Sequence, residues 1–362
     1  LASCSIKQPP QTQPDSLPET TNKIAATKPP INPAWDSTLE LAKKESRFIG
    51  ITIYSFNFGG ETGISLTRAF KDKYNINIEI VTGRGSEFVE RLKTERRLGQ
   101  KTADISEGSI TNLLQMKAEG LTAPVKELPV LADRGIWILD PLATDSEAHI
   151  LNYTPYMVTP WVNTNLVKSG QEPVSFKDLL KPEWRGKIIT DDPLTSSSVY
   201  LYYVPLVNAG VIDWDYVKSL GKQDMQIRTG PIQMTQSLSR GDFPLMLLNA
   251  DSIVSPFIKE GAPIRAISLA EGDVIGANGI SMIKEASHPN AARLFIDWLL
   301  GMEGQTLYNN LKASASVRKD VPDFRPLAAR TPSHKLVVTT ARDYADTARL
   351  MQERFMVGIW KK

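Results

Sequence analysis

The feature that most narrows the folds open to this chain is a repeated alternation of short apolar runs with segments of helical period. Residues 48–55, FIGITIYS, form an apolar run of strand length, and TGISLTRAFKDKYN after it has helical spacing, with Ile64, Leu66 and Phe70 as the expected buried face. INIEIV alternates at Ile76, Ile78 and Ile80 and predicts a second strand. Strand, helix, strand implies a parallel pair joined by a right-handed crossover. SEFVERLKTERRLG predicts the next helix with Ser86 as its N-cap, ADIS a third strand, and GSITNLLQMKAEGL a helix ending at Gly120.

The middle of the chain repeats the logic. PYMVTPWVNTNLV reads as strand, SFKDLLKPEWRGKIIT as a helix from Ser175, a proline turn and a strand, and DFPLMLLNADSIVSPFIKEG as strand, polar loop and helix. NAARLFIDWLLGMEGQTLYNNL predicts one long amphipathic helix with Ala292, Phe295, Ile296, Leu299 and Leu300 on one face. From about Thr331 the chain reads as helical. The expected class is α/β.

Composition excludes several functions. With 362 residues, 41% hydrophobic content and a net charge of +2, the chain is long enough for two lobes and carries no strong charge bias. Its basic residues are scattered, as in KTERRLGQK, which describes a solvated helix face and not a nucleic-acid stripe. No apolar run approaches the roughly 20 residues of a membrane span. The single cysteine, Cys4, leaves no disulfide framework, redox pair or thiolate metal site. His149, His288 and His334 fit no zinc spacing and are expected at the surface. No nucleophile elbow or P-loop is present, so neither an enzyme nor a cofactor is expected.

Leu1-Ala2-Ser3-Cys4 has the form of a bacterial lipobox, in which the cysteine receives the lipid. The stretch from Ser5 to about Asn32 is rich in Pro, Gln, Thr and Ser and too poor in apolar side chains to repay the entropy of ordering. Residues 1–45 are therefore expected to be an anchor and disordered tether that holds the body on the outer side of the cytoplasmic membrane. The remainder is expected to divide into one lobe of residues 46–152 and 266–315 and a second of residues 153–265 and 316–362.

The segments after the expected strands share a chemistry. Thr82–Ser86, Ser106–Ser109, Thr195–Ser198, Asn249–Ser252 and Gly276–Gly279 are small and polar, and most precede a helix. In open parallel sheets ligands bind outside the carboxyl ends of the strands, where helix N-termini favour anions. Any one such loop also serves as an ordinary cap or turn; five in one chain point to a small anion.

SFKDLLKPEWRGKIITDDPLTSS, NGISMIKEASHPNAARLFIDWLLGMEGQTLYNN and ADISEGSITNLLQMKAEGLTAPV resemble stretches of the solute-binding proteins of ABC transporters, in particular the iron(III)-type subgroup, from about Ile51 to Leu311. The resemblance implies a two-lobed type II periplasmic-binding-protein fold, a monomer that holds a small solute in its cleft and delivers it to a permease driven by an ATPase. In the ferric binders a tyrosine pair follows the strand matched by LMLLNADS, where this chain has Asn249, Ala250 and Asp251, and the histidine after the first strand falls in SFNFGG, which has none. Ferric iron is thus the lesser expectation. Tyr200, Tyr202 and Tyr203 are read as packing residues. The anion-holding turn of the family is matched at Thr195, Ser196, Ser197 and Ser198. Arg84 adds a guanidinium for a carboxylate or phosphonate, with Phe56 to cover its apolar part. Asn57, Ser86, Ser109, Asn249, Asp251 and Asn278 complete the expected ligand-binding set. A ligand-sensing module for a membrane kinase and an enzyme on the same fold are the competing readings.

Overall fold

The computed structural model describes residues 33–46, 50–193, 197–228, 230–331 and 335–360, the side chains of residues 33, 34, 197 and 198 excepted. The lipobox with Cys4, the stretch to Asn32, Thr195, Ser196 and His334 lie outside them. The elements run α1 (Pro33–Glu45), β1 (Ile51–Ser55), α2 (Gly60–Tyr74), β2 (Ile78–Thr82), α3 (Gly85–Arg97), β3 (Ile105–Ser109), α4 (Ile110–Ala118) and β4 (Thr122–Ala123). There follow β5 (Leu151–Asn163), β6 (Ile188–Asp191), α5 (Ser197–Asn208), α6 (Trp214–Gly221), β7 (Gln226–Arg228), α7 (Pro231–Arg240), β8 (Leu245–Ala250), α8 (Asp251–Lys259) and β9 (Ile264–Ala266). The chain closes with β10 (Asp273–Ile283), α9 (Pro289–Leu300), α10 (Met302–Lys312), β11 (Leu336–Val338), α11 (Ala341–Gln352) and α12 (Phe355–Trp360). No described helix is long and apolar enough to cross a membrane.

The main strands lie in the order β2-β1-β3-β10-β5-β8-β6-β7. β1 is parallel to β2 and β3, and β6 is parallel to β7 and β8. Two long strands, β5 and β10, run antiparallel to each other between these parallel trios. Each trio has its own core. One gathers Ile53, Phe70, Leu151, Phe295 and Val317; the other gathers Val162, Tyr202, Leu245, Val274 and Met356. Tyr200, Tyr202 and Tyr203 are buried in the second core, as packing residues would be.

Several expectations are corrected. Residues 33–45, assigned to the tether, form α1, because Trp35, Leu39 and Ala42 recur at helical spacing and pack on the first core. Glu45 then takes bonds from Ala291 N (2.7 Å) and Asn290 Nδ2 (3.1 Å) at the start of α9. Ile64 is 54% exposed, since residues two apart on a helix stand about 200° apart and it cannot share a face with Leu66. The helix expected from Ser175 is two 3₁₀ turns, Asp178–Leu180 and Pro182–Trp184, divided where Lys181 is extended before Pro182. The N-cap of α3 is Arg84, not Ser86. Ser106–Ser109 lies in β3, and β8 enters α8 with no loop at Asn249–Ser252. Gly276–Gly279 lies inside β10, where a Cβ on Gly279 would stand 2.7 Å from Ile110 Cδ1; the absent side chain lets α4 close on the sheet. The long C-terminal helix breaks into α9 and α10 at Gly301, whose ψ is 165°. His149 and His288 are half-buried against Thr122 and Asp104.

Candidate functional site

Strand register defines a cleft. β3 ends at Ser109, which lies opposite Asn278 of β10, and Asn278 lies opposite Thr154 of β5. β8 ends at Ala250, opposite Val158 of β5. β5 runs parallel to β3 and antiparallel to β8, so the carboxyl ends of the two trios point at each other. Between them lie the four steps from Thr154 to Val158, about 13 Å at roughly 3.3 Å per residue. Pro155–Met157 and Ile275–Ala277 of the paired long strands form the floor. This is the crevice position where open α/β sheets take ligands.

The first wall is one continuous rim. Gly83 N donates to Ser55 O (3.2 Å), which ties the end of β2 to that of β1. A Cβ on Gly85 would stand 2.1 Å from Asn112 Nδ2, and that amide donates to Ser109 Oγ (2.9 Å), so the starts of α3 and α4 touch. Ser109 is the N-cap of α4. Arg84 caps α3, is exposed, and has no described carboxylate paired with its guanidinium. Phe56, 60% exposed, stands over Gly108. The structure thus brings Phe56, Asn57, Arg84, Ser86, Ser109 and Asn278 together along this wall and its foot.

Glu107 holds the rim in shape. Its side chain, 1% exposed, has no described cation paired with it and is surrounded by donors. Oε2 accepts from Ser55 Oγ (2.6 Å), Phe56 N (3.2 Å) and Asn57 N (2.9 Å). Oε1 accepts from Asn57 Nδ2 (2.6 Å) and Tyr153 Oη (2.6 Å). Burial and the neighbouring Glu107 push the Tyr153 phenol well above its usual range, so that hydroxyl keeps its proton. Glu107, Tyr153 and Asn112 escape sequence reasoning. The one signal for Glu107 is a carboxylate inside the apolar strand ADIS-EGS, and its partners lie up to 52 residues away.

The opposite wall is committed elsewhere. β5 and β8 lose register beside Pro160, and Leu248 takes φ +53°. That bulge turns Asn249 into the second core's edge. Its Nδ2 donates to Pro231 O (3.0 Å) and Thr235 Oγ1 (2.9 Å), and its Oδ1 accepts from Ala250 N (2.9 Å). Asp251, 3% exposed, accepts from Met157 N (3.0 Å) and Ser252 N (2.8 Å) and pairs with Arg325 Nη1 (2.8 Å). Burial raises its pKa although Arg325 opposes the shift. Both residues are bonded into the protein and present no free oxygen to the cleft. Ser197 and Ser198 open α5.

A family model described as bacterial extracellular solute-binding protein matches residues 65–335. An uncharacterized protein of Haemophilus influenzae is 27% identical over 252 residues, 67% of this chain and 70% of that protein. Iron-bound HitA from Pseudomonas aeruginosa shares the fold with a TM-score of 0.66 at 20% identity, covering 84% of this chain and 99% of that one. AfuA from Actinobacillus pleuropneumoniae, solved with exogenous fructose-6-phosphate, gives 0.65 at 18% identity over 86% and 99%. Trichodesmium FutA, solved with iron and citrate ligands, gives 0.70 at 16% identity over 86% and 99%.

Proposed function

We propose a solute class for this protein from one premise: the chain belongs to the bacterial extracellular solute-binding protein family. That family serves ABC transporters, so the ligand is a small molecule, the partners are a membrane permease and its ATPase, and the site of action lies outside the cytoplasmic membrane. It is a transport family and not an enzyme class.

The solute is a small organic anion held between the two cores. The observation that carries this reading is Arg84, an exposed guanidinium with no described carboxylate partner, at the start of α3 where the helix dipole also favours negative charge. Ser109 and Asn112 extend the polar rim beside it, and Phe56 offers an apolar surface for the rest of the molecule. The segment Thr195–Ser198 is proposed to supply the second lobe's contacts to the solute. AfuA, of the same fold, was solved with a sugar phosphate, an anion of this kind. Iron, bound by HitA, asks for several hard anionic oxygens, whereas Asn249 and Asp251 here spend theirs inside the protein.

The test is a thermal-shift screen of small carboxylates, phosphonates, sugar phosphates, and neutral and cationic solutes. At about 100 times Kd an anionic hit should stabilise the fold by about 2.7 kcal/mol, and Arg84→Ala should remove most of that shift. Stabilisation by neutral or cationic solutes alone, or an anionic shift untouched in Arg84→Ala, overturns the proposal.

A further inference from the structure

We infer that Asn57 meets the solute as a hydrogen-bond acceptor, so that the site selects anions carrying a hydroxyl or ammonium donor beside the charge. The inference rests on the anion reading above and narrows it. Its basis is the orientation of one side-chain amide. Asn57 Nδ2 lies 2.6 Å from Glu107 Oε1 and 3.4 Å from Tyr153 Oη. Five donors converge on the Glu107 carboxyl, which is the surrounding of an acceptor-only group. Turning the Asn57 amide over would set oxygen against oxygen at the Glu107 contact and give up both bonds. The amide is therefore fixed with its nitrogen facing inward.

What remains is Oδ1. No described residue donates to it, and Asn57 is only half-buried at the mouth of the cleft. An oxygen held there by its own nitrogen presents an acceptor to the cleft. Asn57 N is held by Glu107 as well, so the residue cannot turn without breaking the rim. A solute whose anionic group meets Arg84 thus satisfies Asn57 only by supplying an O–H or N–H. An equally charged solute lacking that hydrogen leaves Oδ1 stripped of water and unpaired, which is penalised.

Two measurements test this. The first needs no solute: in protein labelled with ¹⁵N at asparagine, the Asn57 side-chain NH₂, assigned by its loss in Asn57→Ala, should show hydrogen exchange slowed well below that of exposed amides. In Glu107→Gln, whose amide can donate to Asn57 Oδ1 and free the NH₂, the protection should fall. The second compares matched probes by calorimetric titration of the unmodified protein. Glycerol 3-phosphate should bind about tenfold tighter than propyl phosphate, and lactate about tenfold tighter than propionate. Asn57→Ala should bring each pair to within about twofold. Equal affinities within each pair for the unmodified protein overturn the inference and leave the anion reading standing. If none of the four anions binds, the exchange measurement decides the orientation: an unprotected Asn57 NH₂ overturns it.

Discussion

Glu107 shows how one residue sets the shape of a site it does not line. A carboxylate taken out of water without a cation is tolerated only when donors replace its hydration, and here β1, the chain after it and β5 send five. Removing it leaves those donors facing one another with nothing to accept. Glu107→Ala is expected to cost about 3 kcal/mol or more in urea denaturation, because it leaves several buried donors, at about 1–3 kcal/mol each, without an acceptor. Ser109→Ala, which removes a cap whose contact to Asn112 N is a long 3.5 Å, should cost about 1 kcal/mol or less. Equal costs for the two would refute the central role given to Glu107. A reader of the sequence sees Phe56, Asn57 and Arg84 as polar or exposed loop residues. That the first two are pinned by a glutamate some 50 positions onward is invisible, because side-chain partners across strands are fixed by sheet order and not by local pattern.

At the scale of elements, α9 carries the most informative strain. Its buried face holds Ala292, Phe295, Ile296, Leu299 and Leu300 as the periodicity predicts. The same helix also carries Asp297, whose carboxyl accepts from Val130 N (2.9 Å) and is pushed up to about 6 by burial, with Arg318 and Lys73 opposing the shift. A carboxyl raised in the folded state favours folding below its unfolded pKa, near 3.8, and that advantage is lost as pH rises through about 6. The displacement of about two pH units corresponds to about 3 kcal/mol at most. Asp297→Asn, which keeps an acceptor for Val130, should match the unmodified protein at pH 4 and exceed it by about 2–3 kcal/mol at pH 7.5 in urea denaturation. A constant difference between the two pH values would count against this reading. The break between α9 and α10 was not legible, since Gly301 alone does not end a helix. Gly304 permits the sharp reversal: a Cβ there would stand 2.3 Å from Trp298 O, so its absence lets α10 fold back tightly on the end of α9.

Across the whole fold, β5 and β10 are, among the described residues, the long strands shared between the two parallel trios, and the cleft lies across their middle. A solute touching both walls favours the state in which they approach, so an anionic hit should also contract the protein in small-angle scattering. The proposed lipid anchor belongs to this scale as well. Cys4 precedes a proline-rich stretch, and the first described element, α1, is packed on the first core. Expressed from its native gene, the protein should fractionate with membranes, and Cys4→Ser should release it while leaving its melting temperature unchanged. Retention of the variant on membranes would disprove the anchor.

Local pattern along the chain is enough for the α/β class, the parallel pairing of β1 with β2 and the buried stripe of α9, and the quoted stretches carry a family resemblance that the matching family model bears out. The class, the pairing and the stripe rest on short-range periodicity, which the chain carries residue by residue. Only the tertiary structure decided which polar residues face the cleft. Asn249 and Asp251 stand at the end of β8 much as Phe56 and Asn57 stand at the end of β1, yet Asn249, beside a bulge opposite Pro160, bonds Thr235, and Asp251 pairs with Arg325. Asn57 keeps an open oxygen because Glu107 holds its nitrogen. The physical reason is that a buried polar group goes wherever the packed fold supplies a partner, and those partners come from distant parts of the chain.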